Sequence, residues 1–262
     1  MKYPDDFINK IICGDCLEVM KEIPDKCIDL IVTSPPYDNL RDYNGYAFDF
    51  EGIAKELYRI TKQGGVVVWV VGDATINGSE TGTSFRQALY FKDECGFNLH
   101  DTMIYQKSGS SCPATTKRYF QEFEYMFIFS KTSPLIFNGL RMSRTTSGNR
   151  IMTKRRQDGT MFKRMCIMDY TRLSGNVWDI DCGYMRSTKD KAAYDHPAIF
   201  PDKLVHDHVV SWSNPGCIVL DPMCGSGTTC KIAKRLNRHF IGIDISSKYC
   251  EIAEERLAQG VL

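Results

Sequence analysis

Apolar positions fall into short runs that alternate with amphipathic stretches from one end of the chain to the other. Lys10-Ile11-Ile12-Cys13 reads as a short strand ending at Gly14-Asp15, and Leu17, Val19, Met20 and Ile23 then share one helical face before Pro24. Strand Ile28–Thr33 follows. Phe50–Thr61 has helical spacing, Gly64-Gly65 stands where a cap would end that helix, and Val66–Val71 is a continuous apolar strand closing at Gly72-Asp73. Ser84–Cys95 predicts another helix, Leu99–Gln106 another strand, and Phe120–Ser130 the last strand before a long polar segment. Beyond it, Asn176–Ile180 leads to His196–Pro201, with Pro201 placed to open a helix reaching about Ser211. The final portion repeats the unit: strand Cys217–Leu220, turn Asp221–Thr229, helix Thr228–Leu236, strand Phe240–Ile243 and helix Ser246–Leu257. Strands alternating with helices throughout predict an α/β fold on a doubly wound, mainly parallel sheet.

The strand Ile28–Thr33 ends abruptly in Ser34-Pro35-Pro36-Tyr37. Neither proline can donate a ladder hydrogen bond, and each disfavours helix at the residue before it, so the strand stops in a stiff, extended corner. In an open α/β sheet, ligands bind in the crevice outside the carboxyl ends of the strands. A hydroxyl and a proline carbonyl can accept hydrogen bonds there, and an aromatic ring can stack on a flat base, which together suit an exocyclic amine. Residues 38–49 are polar and aromatic with little periodicity, as in a loop beside a site.

At 262 residues, 43% hydrophobic and 25% charged, the chain can bury a substantial core. No apolar run approaches the roughly 18 residues of a membrane span, and the N-terminus has no signal-peptide core, so a cytoplasmic location away from membranes is expected. The eleven cysteines are scattered. Cys13 and Cys16 have CxxC spacing without the second pair that a zinc ribbon needs, and no metal is expected. The net charge of +1 conceals an asymmetry. Residues 131–175 hold ten basic residues and two acids, interleaved with Ser, Thr, Gly and Asn, a pattern suited to phosphate contact. The division expected is therefore a catalytic and cofactor-binding domain at 1–130 and 176–262, with a basic insert at 131–175.

Asp221-Pro-Met-Cys-Gly225-Ser-Gly227-Thr-Thr229 is a glycine turn between a buried strand and a helix. No Gly-Lys pair follows Gly225, so a P-loop is disfavoured, and Cys230 stands where the third glycine of a dinucleotide fingerprint would fall. A carboxylate at Asp221 repels pyrophosphate but suits a ligand carrying an ammonium and a sulfonium, as S-adenosylmethionine does.

These motifs resemble the amino-group DNA methyltransferases in their permuted arrangement, where the catalytic motif precedes the DNA-recognition insert and the cofactor motif comes last. The resemblance covers nearly the whole chain apart from 131–175, and it implies a Rossmann-like methyltransferase fold. Thr33-Ser34-Pro35-Pro36-Tyr37 looks like the catalytic motif. Asp221, Met223, Gly225, Gly227 and Thr228 look like the cofactor turn, and Asp244 like the ribose-binding acid. His196, Pro197 and Phe200 resemble the motif flanking the methionine end, and Asp15 the strand end near the adenine. Met223 departs from the usual phenylalanine. Arg41, Arg144, Lys154, Arg155, Arg156, Lys163 and Arg164 are the candidate DNA contacts. Ser before Pro-Pro favours the N4 amine of cytosine over the N6 amine of adenine, where the related enzymes usually carry Asp. A dinucleotide-dependent oxidoreductase is the alternative of a different class, and a catalytically silent DNA-binding module a third reading. Two further partners stay open: a second copy in a homodimer, and a companion restriction nuclease.

Overall fold

The computed structural model describes residues 1–36, 48–109, 119–145, 148–196 and 199–259. Tyr37, Arg41 and Pro197 lie outside them. In chain order the elements are β1 (Lys10–Cys13), α1 (Cys16–Lys21), β2 (Ile28–Thr33), α2 (Phe50–Ile60), β3 (Thr61–Val71), a small hairpin of β4 (Thr75–Ile76) and β5 (Ser79–Glu80), α3 (Thr83–Asp93), β6 (Asn98–Ser108) and β7 (Phe123–Ser130). Then follow β8 (Arg141–Ser143), β9 (Gly148–Arg155), β10 (Met161–Met168), β11 (Thr171–Leu173), β12 (Val177–Asp181), a 3-10 turn at Lys191–Asp195, α4 (Asp202–Trp212), β13 (Ile218–Asp221), α5 (Thr228–Arg235), β14 (His239–Asp244) and α6 (Ser247–Ala258).

Eight strands form one sheet in the order β1-β14-β13-β2-β3-β7-β6-β12. Only β7 runs antiparallel to its neighbours among these pairings. The mainly parallel, doubly wound sheet expected from the alternation is the one that forms. Side-chain alternation sorts the buried strands into two cores. Ile31, Val67, Trp69 and Val71 face Met20 of α1, Ile53 and Leu57 of α2 and Phe91 of α3, whereas Leu30, Val32, Val68 and Val70 face Leu204 and Val209 of α4 and Ile232 of α5. Each central strand is thus apolar on both faces, which is why it reads as a continuous run.

Two boundaries differ from expectation. Gly64-Gly65 does not cap α2. The helix ends at Ile60, Thr61 N–H closes it onto Leu57 O, and both glycines lie inside β3. Their role is close approach at a register shift between Ile28 and Leu30: Gly64 has φ +73°, and a Cβ there would sit 2.2 Å from Leu135 Cγ. The second difference is where the insert starts. The chain divides into two compact units, 1–138 with 176–262, and 139–175, so residues 131–138 belong with the sheet. Lys131, counted among the basic insert residues, is buried: its Nζ donates to Tyr58 O at 2.8 Å and lies 4.3 Å from the centre of the Tyr58 ring. Asn138 N–H donates to Ser211 O.

The unit 139–175 is two antiparallel strand pairs, β8 with β11 and β9 with β10, and its ends are joined by Ser174 N–H donating to Leu140 O. Among the described residues, no helix is long and apolar enough to cross a membrane.

Candidate active site

Parallel pairing brings the carboxyl ends of β2, β13, β14 and β1 to one side of the sheet. Leu30 and Ile31 lie opposite Val219 and Leu220, so the strand leading to Ser34 and the strand ending in Asp221 finish together. Thr33 Oγ1 donates to Asp221 Oδ1 at 2.8 Å, and Thr229 Oγ1, from the first turn of α5, donates to Val32 O at 3.2 Å. Two hydroxyls therefore bind the corner's root to the glycine turn. Ser34 is half-buried and Pro35 buried beyond that root. Asp221 also accepts from Met223 N–H at 3.2 Å. Its burial pushes the carboxyl up to about 6, against the hydrogen bonds from Thr33, Thr229 and Met223, which favour the ionised form.

The turn itself needs its glycines. Gly225 has φ +50° and Gly227 +75°; a Cβ on the first would meet His196 Nε2 at 2.8 Å, and on the second Ala253 Cβ at 2.7 Å. His196 thus lies against the turn, buried, with its ring 4.3 Å from that of Tyr249 centre to centre. Asp244, at the end of β14, accepts from Gly225 N–H at 2.8 Å through one oxygen and from Ser246 N–H at 2.9 Å through the other. Burial raises this carboxyl as well, outweighing those two hydrogen bonds. Asp15 follows β1, whose Cys13 is paired with Asp244, and it caps α1 by accepting from Leu17 N–H at 2.8 Å. Met223 and Phe200 are partly buried against the two cores. The structure therefore gathers Asp15, His196, Asp221, Gly225, Gly227 and Asp244 at adjoining strand ends.

One participant escaped the sequence reading. Arg256 of α6 is fully buried; its Nη1 reaches Ser226 O, with Ser226 Oγ and Thr228 Oγ1 each at 3.0 Å, and its Nε donates to Asp190 Oδ2 at 2.7 Å. Lys231 Nζ shares that Asp190 oxygen at 2.6 Å. Burial alone would raise the Asp190 carboxyl, yet Lys231 and Arg256 hold it below the usual range. Thr228, expected to face a cofactor, is accordingly turned to this guanidinium. The sequence does carry a trace: Cys250, Ala253 and Arg256 recur at helical spacing on the buried face of α6, so a charge occupies a core-facing position.

Apart from Arg41, which is outside the described residues, the candidate DNA contacts belong to the unit 139–175. Lys154 and Arg155 are on β9, Lys163 and Arg164 on β10, and Arg156 in their connection. All five are exposed. Arg156 stacks over Phe162 at 5.0 Å, while Arg144 is half-buried and donates through Nε to Thr171 O at 3.3 Å.

A family model described as DNA methylase matches residues 28–255. The chain is 55% identical over 250 residues to the orphan methyltransferase M.BamHII of Bacillus amyloliquefaciens, covering 93% of this chain and 94% of that protein. Its fold is like that of PvuII DNA methyltransferase, a cytosine-N4-specific enzyme, with a TM-score of 0.71 at 21% identity over 96% of this chain and 87% of that one. It is also like the M1.HpyAVI–SAM complex, with a TM-score of 0.63 at 22% identity over 95% and 98%. A family match over most of the length, and a relative sharing more than half its residues, place the chain: it belongs to the DNA methylase family and is a DNA methyltransferase of the N4/N6 amino-methyltransferase kind.

Proposed function

We propose that this DNA methyltransferase transfers the methyl group of S-adenosylmethionine to the exocyclic N4 amine of cytosine, using Ser34 and Pro35 to hold the amine. The observation that carries the reading is the 2.8 Å hydrogen bond from Thr33 to Asp221, which joins the root of the proline corner to the start of the glycine turn. A base amine at the corner then lies beside a cofactor at the turn. The residues present fit that cofactor: two carboxylates, Asp221 and Asp244, are both raised by burial and gain from a nearby cation, and Gly225, with no side chain, lets His196 pack directly against the turn. When bound, S-adenosylmethionine supplies an electrophilic methyl on a sulfonium.

The remaining work belongs to the chain. An exocyclic amine is a poor nucleophile because its lone pair is delocalised into the ring. Ser34 Oγ and the Pro35 carbonyl accept its two hydrogens, favour a pyramidal nitrogen and orient the lone pair. No covalent intermediate with the base is needed. The target must leave the duplex, at a cost of a few kcal/mol, and backbone contacts from the basic insert offset that cost.

Single-turnover methyl transfer on duplexes offering only cytosine or only adenine as target tests the reading. Product at cytosine N4 is expected. Product at adenine N6 would overturn the base assignment, for which Ser34 before Pro35-Pro36 is the argument, while leaving the amine-holding role of the corner intact.

A further inference from the structure

The β9–β10 ribbon has two unlike faces. Paired residues share a face, and Thr153 lies opposite Lys163, Asn149 opposite Ile167, Ile151 opposite Met165, and Arg155 opposite Met161. Every residue on this face is exposed, its four large apolar side chains by 63 to 85%. On the opposite face Phe162, Cys166 and Met168 are partly covered. An isolated two-stranded ribbon is marginally stable in water, and leaving one face of it so apolar calls for a partner.

Charge identifies that partner. Residues 148–168 contain six basic residues and one acid, and no acid lies on either strand. A second copy docked through the same face would bring together two surfaces that each carry Arg155 and Lys163 and offer no acid to pair with them. A DNA duplex, the substrate of the family, meets both demands: its phosphates accept the cations, and the floor of its major groove offers thymine methyls beside base-edge donors and acceptors. The groove is roughly 12 Å wide and admits a two-stranded ribbon.

We infer that the β9–β10 ribbon enters the major groove and reads the target sequence with the face bearing Asn149, Thr153, Arg155 and Lys163. This rests on the DNA methyltransferase reading above. Asn is matched to adenine and Arg to guanine through paired hydrogen bonds, while Ile151 and Met165 suit thymine methyls. Arg155 Nε donates to Gly159 O at 3.3 Å, which anchors its guanidinium near the ribbon's tip. Arg150, Lys154 and Arg164, on the opposite face, reach the phosphate walls.

The test compares the wild-type chain with Asn149→Ala, Arg155→Ala, Lys154→Ala and Arg164→Ala. Each variant methylates the same genomic DNA, the modified bases are located by sequencing, and duplex binding is titrated over a range of salt. Asn149→Ala and Arg155→Ala should relax one or two positions of the methylated motif by roughly 10- to 100-fold in discrimination. Lys154→Ala and Arg164→Ala should keep the motif and shallow the slope of log affinity against log salt by roughly 0.9 each. An unchanged motif in both Asn149→Ala and Arg155→Ala, with methylation retained, would overturn the inference and leave the DNA methyltransferase reading standing. Relaxation in Lys154→Ala or Arg164→Ala instead would overturn the choice of face. If the wild-type chain methylated no DNA, the underlying reading would fail first. All four side chains are exposed, so circular dichroism should report an unchanged fold.

Discussion

Replacing Ser34 by alanine removes one acceptor and leaves the stiff Pro35-Pro36 backbone in place, which separates chemistry from binding. Positive charge develops on the attacking nitrogen, so the acceptor matters more in the transition state than before it. The single-turnover rate should fall roughly 10- to 1000-fold while DNA and cofactor affinities change little. A full rate would make the corner scaffold only. Asp221 makes a prediction of a different kind. Its carboxyl is raised by burial from 3.8 to about 6, so its contribution to folding is fully present below the unfolded value and is lost as pH rises through the folded one. That gap corresponds to roughly 3 kcal/mol. Asp221→Asn keeps an oxygen for Thr33 and Met223 to donate to. It should therefore raise the Tm of the ligand-free protein at about pH 8 and change it little near pH 4. A cationic cofactor reverses the preference, because it favours the ionised carboxylate. Wild-type affinity for S-adenosylmethionine should tighten from about pH 5 to pH 7, and Asp221→Asn should flatten that dependence. Calorimetric profiles that coincide for the two proteins would place Asp221 outside the cofactor's field.

Elements were legible in the sequence where one physical period dominated. The central strands are apolar on both faces and the flanking helices on one, so β2, β3, β13 and β14 stood out, and the proline corner and glycine turn marked the strand ends that carry the candidate site. The ribbon was illegible for the converse reason: Arg150-Ile151-Met152-Thr153-Lys154 and Lys163-Arg164-Met165-Cys166 mix charge and apolar surface on both faces, and no period-two pattern survives. Gly64 and Gly65 misled because a glycine after a helix reads as a cap, whereas here a neighbouring Leu135 needs the space. Arg256 and Asp190 are 66 residues apart, so no local pattern could join them. Their junction ties α6 to the glycine turn and to the segment leading into His196, which gives it a measurable consequence. Arg256→Met should destabilise the chain by about 3 to 5 kcal/mol, the cost of leaving buried partners uncompensated. Arg256→Lys, which keeps the charge and loses the fork, should recover part of that stability. Urea unfolding of the two variants checks this, and a loss below about 1 kcal/mol for Arg256→Met would mean that the network is energetically idle.

Across the whole molecule, charge is divided along the same boundary as structure. The unit 139–175 carries nine basic residues and two acids, whereas the rest carries 24 basic residues and 30 acids. An acidic body repels a polyanion, so most of the favourable field for DNA must come from the insert. The boundary also suits excision. Leu140 and Ser174 are hydrogen-bonded across the base of the insert, so its ends lie close together. On the other side, Asn138 N–H is held by Ser211 O, and Asn176 O accepts from Ile104 N–H. Replacing residues 139–175 with a Gly/Ser linker of about four residues should leave both cores intact, since all their members lie outside the excised segment. The shortened chain should bind S-adenosylmethionine with near wild-type affinity by calorimetry. Its duplex binding, followed by fluorescence anisotropy at low salt, should fall by at least about 100-fold, and methyl transfer should fall with it because the base is no longer brought to the corner. Loss of cofactor binding together with loss of fold would show that the insert supports the sheet. Wild-type methylation of duplex DNA by the shortened chain would move the DNA-binding surface onto the acidic body, against the charge argument.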